Sequence, residues 1–235
     1  MDFSVYLAMA PEQVLPEGLR KAFLFCPFEE NGIPESLPVG CLPVLTDRTP
    51  FAQGNARYII DCLSAIASGS PAVLLDFQRK GQMGLREFVQ KLRSSLSCPV
   101  AAPPEYAGPA GPVFLPPIPP DVMPEEALAP WQGRQIWLDL APSAQKLTLT
   151  AAGCSSSDTD EMSTGGFRDA ALFCHYRLET IQEDRVQFTL WRTGEDLSAL
   201  TARLPELGVC GCVGLYPELN ACGFVKAPPL PGSDR

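Results

Sequence analysis

Three observations predict an α/β fold of the (β/α)8, TIM-barrel-like kind, irregular in its second half. Residues from about 40 to 103 alternate strand, helix, strand, helix, strand, the pattern of parallel βα units. The strand candidates are near-continuous apolar runs rather than alternating ones, as expected of strands covered on both faces. A chain of 235 residues with 46% hydrophobic content can bury one sizeable core, so a compact barrel fits as a single domain over residues 1–235. Two small domains, or an open doubly wound sheet, are the alternatives.

The elements follow in order. FSVYLAM (3–9) makes a first strand, and after a Pro-punctuated turn with one short helical piece KAFLFCPF (21–28) makes a second. GCLPVLTD (40–47) is a third, ending in Thr46-Asp47-Arg48. The helix over about 53–68 places Tyr58, Ile59, Cys62, Leu63 and Ile66 on one face and stops at Gly69. PAVLLDFQRKG (71–81) holds the fourth strand, whose apolar core Val73-Leu74-Leu75 ends abruptly in Asp76-Phe77-Gln78-Arg79. Leu85, Phe88, Val89, Leu92 and Leu96 then fall on one helical stripe, and CPVAA opens the fifth strand.

The second half is less regular. The segment 101–130 is too rich in proline for a normal crossover helix before Met123. It reads as packed loop with one short strand at Val113 to Leu115, or as a linker. QIWLDL (135–140) is an apolar strand ending in Asp139, and KLTLTAAG (146–153) is another strand with polar alternation. CSSSDTDEMSTGG (154–166) reads as a mobile loop, with a lid as the sharper alternative. Residues 171–193 read as two strands around a Gln-Glu-Asp turn, with Val186, Phe188 and Leu190 alternating with polar positions. Thr193 and Asp196 form a capping pair for a last helix carrying Leu197, Leu200 and Leu204, which Pro205 kinks or ends. VCGCVGLYPELN then gives the closing strand, and the tail after Val225 reads as irregular.

The carboxyl ends of parallel strands are where such folds bind ligands. Asp76, Gln78 and Arg79, at the end of the fourth strand, are the first site candidates, and Asp47, Asp76, Gln78, Glu105, Asp139, His175 and Tyr216, which follow apolar strands or stand within them, are the candidate ligand-binding residues, expected to line one pocket. Glu218 lies just past the closing strand. Each has a plainer reading as well, since Asp76 can cap the next helix, Arg79 can be solvated, and His175, the one histidine, can be a hydrogen-bonded structural residue. Cys174 beside it points to the opposite strand face, against a Cys-His catalytic pair.

The run AVLLDFQ, with the helix GLREFVQKLRSSL and the strand CPVAAPPEYAG after it, resembles the fourth strand, fourth helix and fifth strand of glycoside hydrolase family 18, the chitinase-like barrels. That family ends its fourth strand in D-x-x-D-x-D-x-E. With the final acid laid on Gln78, the pattern meets Pro71, Leu74, Asp76 and Gln78, so one acidic position of four is kept. The resemblance implies a chitinase-like barrel in which the proton-donating Glu is replaced by Gln78. It also implies that Asp76 holds the position that orients the substrate's acetamido group, and that Tyr216 stands where the last strand presents an aromatic residue. An amide has no proton to give at neutral pH, so Gln78 cannot act as the acid.

Composition narrows the partners. A formal net charge of -9 with 18 Lys and Arg leaves no basic stripe to neutralise a phosphate backbone, so nucleic acid is disfavoured. No run approaches the ~18 apolar residues of a membrane span, and no basic n-region with an apolar h-region opens the chain, which reads as cytoplasmic. Nine scattered cysteines without a C-x-x-C pair read as reduced and mostly buried thiols, and one histidine leaves no Cys/His zinc set. G-x-G-x-x-G, G-x-x-x-x-G-K-[ST], G-x-S-x-G and H-E-x-x-H are absent, and no cofactor is implied. The expected function is non-catalytic binding of a glycan or other polyhydroxylated small molecule, with Tyr106, Tyr176, Tyr216 or Trp191 as stacking groups. A glycoside hydrolase with relocated acids, drawn from Glu105, Asp139 and Glu218, is the enzymatic alternative, and a structural protein without a ligand is the third. Nothing in the residues sets an oligomeric state.

Overall fold

The computed structural model describes residues 3–9, 15, 19–159 and 165–225. The expected short helical piece before the second strand, the irregular tail and the middle of the 154–166 segment lie outside them.

In chain order the strands are β1 (Val5–Ala8), β2 (Arg20–Phe25), β3 (Leu42–Thr46), β4 (Val73–Asp76), β5 (Val100–Ala101), β6 (Val113–Leu115) and β7 (Ile136–Asp139). Then come β8 (Ala144–Thr150), β9 (Gly153–Asp158), β10 (Phe167–Asp169), β11 (Cys174–Gln182), β12 (Arg185–Trp191) and β13 (Val209–Leu215). The helices are α1 (Ala56–Ile66), α2 (Leu85–Ser95), α3 (Pro104–Ala107), α4 (Pro124–Leu128), α5 (Gly194–Arg203) and α6 (Tyr216–Ala221). By its contacts the chain divides into two compact units. One is 1–116, 133–139 and 208–215, and the other is 117–132, 140–207 and 216–235.

The first unit holds eight parallel strands in the order β5-β4-β3-β2-β1-β13-β7-β6, a nearly closed barrel of the expected TIM-like type. Closure between β5 and β6 rests on Ala102, whose N–H donates to Pro112 O at 3.3 Å and whose carbonyl accepts Phe114 N–H at 2.8 Å. Every barrel strand contributes to one interior cluster: Tyr6 and Ala8, Ala22, Leu42 and Val44, Leu74, Ala101, Phe114, Trp137 and Val213. The side-chain period of two turns the alternate residues, Leu45 and Leu75 among them, to the outer face. Trp137 is among the largest fully buried side chains, and Gly211 makes room for it. A Cβ there would lie 2.7 Å from Trp137 Cζ3.

The helical stripes fit this frame with one correction. In α2 the buried residues are Leu85, Phe88, Val89 and Leu92, as the spacing predicts. In α1 they are Ile59, Ile60 and Leu63, while Tyr58 is 70% exposed. The face is therefore rotated toward Ile60, and Tyr58 stands outside it.

The second unit is built on an antiparallel sheet, β10-β11-β12-β8-β9, inserted in sequence between β7 and β13 where a barrel repeat would carry one helix. The predicted hairpin is β11–β12, and its cross-strand register places Leu147, Leu149, Tyr176, Val186, Phe188 and Leu190 on one face. Residues 154–158 of the segment read as a mobile loop instead pair with β8 as part of the exposed edge strand β9. The backbone of small residues there is paired on one side only, which the side chains alone do not advertise. Helix α5 begins with the predicted capping box: Asp196 N–H donates to Thr193 Oγ1 while Thr193 N–H donates to Asp196 Oδ2. Leu197, Leu200 and Leu204 are buried, and a 3-10 turn over Leu204–Leu207 carries Pro205.

Candidate functional site

The carboxyl edge of the barrel is organised by Asp47, one residue past β3 and buried. Its Oδ1 accepts Gln78 N–H at 3.1 Å and its Oδ2 accepts Arg79 N–H at 2.7 Å and Gln82 Nε2–H at 3.2 Å. Arg79 returns the contact through Nε to Asp47 O at 3.1 Å and through a terminal nitrogen to Arg48 O at 2.9 Å. A carboxylate accepting backbone donors in this way fixes a loop, and here it fixes the one that leaves β4. Arg79 is thus held by carbonyls rather than merely solvated.

That loop is braced from its other side. Tyr106 Oη donates to Arg79 O at 2.5 Å, and Glu105 Oε1 accepts Gly81 N–H at 3.1 Å. Phe28 lies against Phe51, Phe77 and Phe88 with ring centroids 5.4 to 5.7 Å apart, and Phe77 meets Tyr106 at 6.4 Å. Tyr106 is therefore buried and spoken for, not a free platform for a sugar ring.

Asp76 ends β4 within this frame. Gln78 Nε2 donates to Asp76 Oδ1 at 3.5 Å, while Gln78 itself is exposed. Burial pushes the Asp76 carboxyl above the ordinary aspartate range, the Gln78 amide pulls it back, and the negative Asp47 adds to the rise. Asp47, Asp76, Gln78 and Glu105 are brought together at one edge. Leu74 and Val44 line the barrel interior, so Asp76 and Thr46, two residues on and in register with each other, turn inward at the carboxyl end. Asp139, two residues after Trp137, is on the inward side of β7 by the same alternation and lies in register with Val213.

The remaining candidates belong to the second unit. His175 Nδ1 lies 2.7 Å from Asp196 Oδ2 and its ring stacks on Trp191 at 5.8 Å. Asp196, fully buried, also takes Thr193 Oγ1–H at 2.8 Å and Arg168 Nε–H at 3.0 Å. Burial pushes its carboxyl up, but the Thr193 and His175 donors outweigh this and hold it below the ordinary range. Tyr176 packs against Phe167, and Tyr216 and Glu218 lie in α6.

Residue types alone did not reveal three arginines that bind loop carbonyls. Arg93 donates to Val100 O, Ala107 O and Pro112 O, and Arg134 to Gly108 O and Gly111 O, gathering the proline-rich segment beside the β5–β6 seam. Arg192, 1% exposed, donates to Ile118 O, Pro119 O, Leu172 O and Phe173 O. The proline-rich stretch 101–130, whose loop carbonyls need donors from elsewhere, is the signal that could have pointed to most of these contacts.

A cavity of about 1050 Å³ lies between the loop after β2 and the start of α1, with Phe28, Glu29, Glu30, Glu35, Asn55 and Tyr58 among its lining. All nine cysteines are free thiols, four of them buried. No group of three metal-ligating side chains occurs among the described residues, and none of the described helices is long and apolar enough to cross a membrane.

No protein-family model and no curated protein matches the chain. Among solved structures, the spore cortex-lytic enzyme SleL of Bacillus megaterium QM B1551 is similar at a TM-score of 0.50 and 12% identity, over 91% of this chain and 70% of that one. SleL of Bacillus cereus matches at a TM-score of 0.48 and 9% identity, over 90% of this chain and 70% of that one. The likeness to the first is one of fold, in keeping with the barrel.

Proposed function

We propose that this protein binds a carbohydrate or similar polyhydroxylated small molecule at the carboxyl edge of its barrel and does not hydrolyse it, in a reducing, cytoplasmic setting. The observation that carries this reading is the Asp76–Gln78 pair. An exposed amide stands beside a desolvated carboxyl, on a loop that Asp47 holds in place. The amide gives and accepts hydrogen bonds but has no proton to transfer. The family 18 resemblance, with its acid position at Gln78, and the fold likeness to a cortex-lytic enzyme support a glycan as the ligand class, with Asp76, Gln78, Glu105 and Asp139 as its proposed contacts.

Titrating amino sugars and short glycans into the protein by calorimetry tests the reading. Saturable heat that Asp76→Asn or Gln78→Ala weakens by roughly tenfold is the expected result, the size of one good polar contact. Turnover of chromogenic glycosides by the unmodified protein would contradict it. The inward position of Asp139 favours one second reading, hydrolysis through the relocated acids Glu105 and Asp139. Under that reading activity is lost in Asp139→Asn and survives in Asp76→Asn.

A further inference from the structure

Thr46 is a polar side chain at the barrel mouth to which the binding reading gives no role. It ends β3, is 7% exposed and pairs in register with Asp76 on the neighbouring strand. Both turn inward, because Val44 and Leu74, two residues earlier, line the interior. Buried hydroxyls are nearly always hydrogen-bonded, since leaving one unmatched forfeits its bonds to water with nothing in return. Thr46 Oγ1 nevertheless has no hydrogen-bond partner among the described residues. The apolar layer below it, with Leu42, Val44 and Leu74, offers none, so what remains to satisfy it lies toward the mouth.

We propose that Thr46 and Asp76 together bind one hydroxyl group of the ligand at the mouth of the barrel, Thr46 Oγ1 donating to the ligand oxygen and the Asp76 carboxylate accepting the ligand O–H. Thr46 thereby becomes a specificity residue of the binding function proposed above, on which this inference rests. A ligand hydroxyl both gives and takes a hydrogen bond, and the pair supplies the matching acceptor and donor. A deoxy position there leaves both protein groups unpaired, and an ether, which accepts from Thr46 but has no O–H to give, leaves the Asp76 carboxylate unpaired; a site built to pair with a hydroxyl discriminates strongly against both.

The test uses the full chain with N-acetylglucosamine, its β-1,4-linked dimer and trimer, glucosamine and glucose as probes. Calorimetry is run on the unmodified protein, Thr46→Val and Thr46→Ser, with a thermal melt of each. Valine keeps the shape and removes the hydroxyl, so affinity for the best-bound sugar is expected to fall roughly tenfold or more. The melting temperature should stay the same or rise, and serine should retain the binding. Unchanged affinity in Thr46→Val overturns the inference and leaves the binding function standing. A melting temperature that drops in Thr46→Val and recovers in Thr46→Ser also overturns it, because the hydroxyl then has a partner inside the fold. If the unmodified protein binds none of the five sugars, the binding function falls and this inference falls with it.

Discussion

Asp47 and Asp76 stand on neighbouring strands of one barrel edge, yet their surroundings assign them opposite work. Asp47 has its oxygens filled by two backbone amides and the Gln82 side chain, so Asp47→Ala should release the loop after β4 at a cost of about 2 kcal/mol. A thermal melt checks this, and an unchanged midpoint would contradict it. Asp76 is held by one long contact and its pKa is raised, first by burial. A raised carboxyl takes up its proton in the native state before the unfolded chain does. Its share of stability is therefore complete below the unfolded pKa and is lost as pH rises through the folded one. Asp196 has the reverse sign, being held low: it stabilises above the unfolded pKa and loses that share as pH falls through its depressed value. Asp196→Asn should accordingly flatten the acid limb of the stability profile, whereas Asp76→Asn should remove the gain on acidification, as denaturant melts across pH would report.

Among the elements, those with strong local signals were legible from the residues. The stripe of α2 and the Thr193–Asp196 box at α5 depend on spacing and on one short-range bond, and both stand where the sequence puts them. β9 and β10 were not legible, because GCSSSD and FRD carry no apolar alternation and form only by pairing with β8 and β11. The tilt of α1 toward Ile60 was missed for a similar reason. Tyr58 and Ile60 are both apolar enough to complete the stripe, and only the neighbouring elements decide between them. Asp47 was legible as a strand-end acid, but its partners, 31 to 35 residues away, were not. Arg192 shows how much such distant contacts matter. Arg192→Met keeps the length of the side chain and leaves the carbonyls of Ile118, Pro119, Leu172 and Phe173 without their donor. A loss of at least about 2 kcal/mol in a chemical melt is expected, and a neutral effect would mean those carbonyls find other donors.

At the scale of the barrel, the seam between β5 and β6 differs from the other seven. β5 is two residues long, and the two strands meet only through the hydrogen bonds around Ala102, whereas β2 and β3 share a register of four residue pairs. What holds the seam is supplied from outside the ladder, by Arg93 and Arg134 binding carbonyls of β5 and of the segment that joins the two strands. A closed barrel with one short seam opens there first, since local opening follows the places with fewest ladder bonds. Native-state hydrogen exchange should therefore find the amides of Ala102 and Phe114 less protected than those of β3 and β4. Arg134→Ala should lower protection at that seam by roughly tenfold, about 1.4 kcal/mol, and leave β3 and β4 unchanged. Uniform protection around all eight strands, or a loss spread over the whole barrel in the variant, would show instead that the strands open as one unit and that the arginines contribute only to global stability.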